Sequence, residues 1–63
     1  MRLIKLKEVM SLTALSRSAI YRKMETGHFP RSVHLGERSV AWVEGEVYDW
    51  IEQIVSMSHE SSY

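Results

Sequence analysis

A chain of 63 residues has room for one domain, and a domain this small hides only about 60% of the surface its unfolded chain exposes, which argues against a deep catalytic cavity. It has no cysteine, so a disulfide framework and a thiolate metal site are both excluded, in keeping with a reducing compartment. The formal net charge of zero conceals a segregation: residues 1–38 carry all eight basic side chains against Glu8, Glu25 and Glu37, a net of +5, whereas residues 39–63 carry five acids and no base.

No apolar run approaches the roughly 20 residues of a membrane span. The opening Met1-Arg2-Leu3-Ile4-Lys5 lacks the apolar core of a signal peptide, so the expectation is a soluble, cytoplasmic protein without a membrane partner. Along the chain, Leu6, Val9, Met10 and Thr13 fall on one helical face with Lys7, Glu8 and Ser11 turned away, which predicts a short helix over 6–13. Ala14-Leu15 leaves room only for a tight turn, and Ser16 supplies the oxygen wanted at a helix N-cap. The second helix follows at once, with Ala19, Ile20 and Met24 on its apolar side and Ser18, Tyr21, Arg22 and Glu25 on the other arc. Gly27 is placed to end it in a left-handed conformation, and Pro30 prevents its resumption.

From Ser32 to Trp42 the pattern alternates, with Val33 and Leu35 before Gly36 and Val40 and Trp42 after Arg38, which predicts a β-hairpin with a tight glycine tip. Helical periodicity returns from Glu44 to about Met57: Val47, Trp50, Ile51, Ile54 and Val55 share a face with Tyr48 at its edge, and Glu44 and Glu46 suit the N-terminal end of the helix dipole. The residues from 58 to 63 are polar and read as a flexible C-terminal tail to a domain spanning 1–57. The expected fold is therefore mostly α with a small β-hairpin.

Two short helices joined by a tight turn have the geometry of a helix-turn-helix, whose second helix offers its N-terminal residues to base edges. The outward arc carries suitable chemistry. Arg22 can make a bidentate contact to guanine, Tyr21 can stack or reach a phosphate, Ser16 and Ser18 can bond phosphates or bases, and Arg17 suits a phosphate. Arg31, His34 and Arg38 cluster about the hairpin as on a wing. Taken alone, such an arc is more often a solvated surface, and the hairpin is as compatible with a purely stabilising role. His28, His34 and His59 show no metal-ligand spacing, Phe29, Trp42 and Trp50 are expected in the core, and nothing provides Ser16 or Ser18 with a base. No catalytic residue, cofactor, metal or small-molecule substrate is called for.

The segments Leu15-Ser16-Arg17-Ser18-Ala19-Ile20-Tyr21-Arg22, Gly27-His28-Phe29-Pro30-Arg31, Leu35-Gly36-Glu37-Arg38-Ser39-Val40-Ala41-Trp42, Glu46-Val47 and Trp50-Ile51 resemble the AlpA family of prophage regulators, in a match running from about Arg2 to Ile54. The resemblance implies a winged helix-turn-helix of the MerR and excisionase type and a transcription regulator acting on double-stranded DNA at an integrase or excision promoter. It places DNA contacts at Ser16, Arg17, Ser18, Tyr21 and Arg22 and a wing contact at Arg38. Lys23 departs from it, standing on the side of the helix with Ala19 and Ile20 where the family more often has an apolar residue.

Two alternatives stay open at this stage. One is an excisionase-like architectural factor that bends DNA. The other is a protein-interaction module without DNA binding, using the apolar face of the last helix, with Tyr48, Val55 and Met57 at a homodimer surface. Because one small module limits affinity, a homodimer or cooperative assembly on repeated sites is expected if DNA is the partner.

Overall fold

The computed structural model describes residues 1–60; the outer part of the expected tail, 61–63, lies outside the described residues. The order of elements is β1 (Leu3–Ile4), α1 (Leu6–Thr13), α2 (Arg17–Glu25), β2 (Val33–His34), β3 (Val40–Val43) and α3 (Glu44–Glu60). Both short helices fall where the apolar spacing puts them. Lys5 caps α1 through its extended backbone only, and Ala14 ends it at φ 61°, ψ 18°, in the left-handed region. The turn is tied locally: the Thr13 hydroxyl donates to the Val9 carbonyl at 2.8 Å, and Thr13 Oγ1 accepts the N–H of Leu15 at 3.3 Å.

α2 is held at both ends. Ser16 Oγ accepts the N–H of Ala19 at 3.2 Å, satisfying one of the donors a helix N-terminus leaves open. At the other end Gly27 adopts φ 78°, its N–H donates to the Met24 carbonyl, and the His28 N–H reaches back to the Lys23 carbonyl at 2.8 Å. This is a Schellman closure around a left-handed glycine.

The expected hairpin is present as β2 and β3, and β1 adds a strand the sequence did not announce. β3 is the centre of a three-stranded antiparallel sheet of order β1-β3-β2, with Leu3 opposite Val43 and Ile4 opposite Trp42 on one side, and Val33 opposite Ala41 and His34 opposite Val40 on the other. β1 has only two residues, too few to show a period, so the sequence pattern gives no sign of it. As the central strand, β3 buries the adjacent Ala41 and Trp42, so one inward face does not describe it. Val33 and Leu35, which the alternation placed inward, are exposed, because β2 is a short edge strand running past the core. Gly36 needs no positive φ; the loop is closed instead by the Leu35 N–H donating to the Ser39 carbonyl at 2.7 Å.

α3 continues directly from β3 without a loop, its first N–H donating to the Arg2 carbonyl at 2.8 Å. It extends to Glu60, past the end read at Met57, there being no glycine or proline beyond Met57 to stop it. The core is assembled from Ile4, Val9, Ile20, Phe29, Trp42 and Val47, one residue from nearly every element. Trp50 and Ile51 pack against it from α3, while Ile54, Val55 and Met57 remain exposed on the later turns.

Both tryptophans serve one purpose. The indole N–H of Trp42 donates to the Pro30 carbonyl at 3.1 Å, and that of Trp50 donates to the His28 carbonyl at 2.7 Å. Phe29, between these two carbonyls, is buried and meets Trp50 edge to face at a centroid distance of 4.8 Å. The chain between α2 and β2 is thereby fastened to β3 through the part-buried Pro30 carbonyl and to α3 through the exposed His28 carbonyl.

Gly27→Ala is expected to destabilise the domain by about 1 kcal/mol through backbone strain alone, since an added Cβ meets nothing within 4 Å, whereas Gly36→Ala should change stability by less than about 0.5 kcal/mol; thermal melts of the two variants check this. Trp42→Phe leaves the Pro30 carbonyl without its donor at a part-buried site, at a cost of about 1–3 kcal/mol, and should lower the melting temperature more than Trp50→Phe, whose bond is exposed.

Candidate nucleic-acid interface

Helical spacing puts Arg17, Ser18, Tyr21 and Arg22 on one arc of α2, and all four are exposed while Ile20 is fully buried beneath them. Neither arginine has an ion-pair partner among the described residues, where the ion pairs are those of Arg2 with Glu8 and Glu44. The side chains are therefore available to an outside anion, and the charge is not quenched from within. Glu25 shares the arc at the C-terminal end of α2; its charge favours an approach of phosphate to the other end, where Ser16, Arg17 and Ser18 lie.

Tyr21 is half committed. The residue is 38% exposed, yet its ring packs edge to face on Trp42 at 6.4 Å and 67°. The contact restrains the ring and links the outer arc of α2 to the central strand β3, which follows the β2–β3 loop. Ser16 is committed differently: its oxygen caps α2, which leaves its hydroxyl proton as the group it can offer outward.

Arg38 lies in the loop between β2 and β3, exposed and without an ion pair among the described residues. No hydrogen bond or ion pair joins it to α2; the two groups of site residues are connected through the Tyr21–Trp42 packing and the fastened segment 28–30. Arg31, grouped with the wing by its position in the sequence, instead lines a groove against α3 together with Lys23. Lys23 is only partly buried and lines this groove without joining the core cluster, which accounts for a lysine beside Ala19 and Ile20.

One cation near the base of the β2–β3 loop carries no signal in the sequence pattern. Lys5 Nζ donates to Ser39 Oγ at 2.7 Å, tying the end of β1 to the residue after Arg38. Only the pairing of β1 with β3 brings residues 34 positions apart together, and a two-residue strand leaves no signal in the pattern.

The arrangement defines a small domain of three helices and a three-stranded antiparallel sheet, with unpaired arginines on an exposed helix and on a hairpin loop. The family model described as "Prophage CP4-57 regulatory protein (AlpA)" matches residues 2–55, and the chain belongs to this family of prophage regulators. A protein of Enterobacteria phage P4, "Uncharacterized protein ORF88", is 46% identical over 50 residues, covering 79% of this chain and 57% of that protein's length. The "DNA-binding transcriptional activator AlpA" of Escherichia coli (strain K12) is 31% identical over 58 residues, covering 82% of this chain and 83% of that relative.

The two serines of α2 should separate by measurement. Ser16→Ala is expected to lower stability by about 1 kcal/mol through loss of the cap, while Ser18→Ala should stay within about 0.5 kcal/mol of the parent; denaturant titration of both variants tests the difference.

Proposed function

We propose that the protein is a sequence-specific DNA-binding transcription regulator built as a winged helix-turn-helix, with α2 as the recognition helix and the β2–β3 loop as the wing. The observation that carries this reading is the row Arg17, Ser18, Tyr21 and Arg22, exposed and without internal ion pairs, on a helix capped at both ends. Arg22 reads a base edge, Tyr21 stacks or meets a phosphate, Arg17, Ser16 and Ser18 set register on the backbone, and Arg38 anchors the wing. The name of the Escherichia coli relative, a DNA-binding transcriptional activator, supports the same assignment.

The zero net charge is compatible with this role, because exposed charges more than about 8–10 Å apart are largely screened at physiological salt, and four of the acids lie on the early turns of α3. Among the described residues no helix is long and apolar enough to cross a membrane. The site of action is the cytoplasm, where the DNA is, and the target is an integrase or excision promoter of the host element. The protein works by occupancy of DNA and catalyses no reaction. A single module of this kind buries on the order of 600–1,000 Å², so two or more copies act together on repeated sites.

The test is an anisotropy titration against DNA from the protein's own upstream region and a neighbouring integrase promoter at two salt concentrations. Arg22→Ala is expected to lose about 1–3 kcal/mol at the preferred fragment and to flatten the preference, while Arg38→Ala weakens all fragments alike and reduces the salt slope by about one. Parental affinity and preference in both variants would overturn the assignment.

A further inference from the structure

Between α3 and the segment 27–33 runs a groove of about 930 Å³. Trp50, Ile54, Met57 and Pro30 contribute to its apolar surface, and Ile54 is 41% exposed. Lys23 and Arg31 stand on one wall, Glu46 and Asp49 on the other. None of the four has an ion pair among the described residues, so each charge stands without a contacting partner of opposite sign. The groove thus presents apolar surface between two unsatisfied rows of opposite charge.

We propose that this groove is the contact between two copies of the chain, arranged about a two-fold axis so that α3 of each copy lies in the groove of the other. Charge complementarity selects the occupant. In an isologous contact each surface meets its own copy in reversed order, so Glu46 and Asp49 of one copy face Lys23 and Arg31 of the other, twice over, while the Ile54 side chains meet near the axis. A partner of single charge would satisfy one wall and be repelled by the other. The formal net charge of zero removes the overall repulsion that keeps strongly charged domains apart. Tyr48 and Val55, also exposed, do not line the groove.

This deepens the DNA-binding reading by supplying the second module that reading calls for, and it leaves Arg17, Ser18, Tyr21 and Arg22 uncovered. Because the contact is made by the protein alone, it is tested without DNA, and its failure is distinct from a failure of DNA recognition.

The experiment is sedimentation equilibrium of the full chain across the micromolar range at physiological salt. The parent is expected to rise from its 7.4 kDa monomer mass towards twice that mass as concentration increases. A variant with Lys23→Glu and Arg31→Glu makes both walls acidic, and one with Glu46→Lys and Asp49→Lys makes both basic. Each alone should associate at least about tenfold more weakly than the parent, and an equimolar mixture should recover the association, since every acidic wall then faces a basic one. A net-charge control of Lys7→Glu with Arg17→Glu, mixed with Glu25→Lys with Glu37→Lys, changes no groove residue and should give no such recovery beyond its separate components. A parent that stays monomeric throughout would overturn the proposal whatever the variants do, as would separate variants that associate like the parent or a groove mixture that does not recover.

Discussion

The placement of α2 against the sheet depends on the grip of two indole N–H groups on one short stretch of backbone. Trp42 and Trp50 come from different elements, yet they donate to Pro30 and His28 on either side of the buried Phe29 ring. In a domain this small the apolar core alone gives only a thin margin of stability, and a connection left to fluctuate would let α2 and the β2–β3 loop drift apart. The indoles add directional bonds to apolar area at the point where α2 hands over to the sheet. The Schellman closure at Gly27 sets the exit of α2, and the tryptophans hold the chain from His28 to Pro30.

That grip also explains how a chain without net charge can present cations. Since the ties are made by indoles, a serine cap and backbone carbonyls, α2 and the β2–β3 loop are held without committing Arg17, Arg22 or Arg38 to ion pairs among the described residues. Among the described residues the cation committed to ion pairs is Arg2, whose guanidinium bridges Glu8 and Glu44. Such exposed pairs contribute little to stability. They do keep one arginine occupied near the start of α3, while those on α2 stay available.

Much of this was legible in the sequence because helices advertise themselves locally. Val9 and Met10, Ile20 and Met24, and Val47, Trp50 and Ile51 recur at helical spacing, and Ser16 and Gly27 mark the two ends of α2. The sheet was less legible: Leu3 and Ile4 carry too little pattern to show a strand, and the alternation through Val33 and Leu35 describes an edge that the core does not reach. Of the candidate site, the arc on α2 arises from helical geometry alone. The tether of Lys5 to Ser39, the packing of Tyr21 on Trp42 and the place of Arg31 in the groove instead of on the wing are long-range consequences of strand pairing, and no local spacing encodes them.

The central claim, that α2 is the element lying in the major groove, is most directly tested by cleaving DNA from a fixed point on the protein. The chain has no cysteine, so Ser18→Cys and Glu52→Cys each give a single attachment point for an iron chelate, one on α2 and the other on α3. With the chelate at position 18, strand scission confined to a few nucleotides within the bound site is predicted, and with the chelate at position 52 none above background. Localised cutting from position 52 with none from position 18 would show that the protein meets DNA through α3, and the account would be wrong.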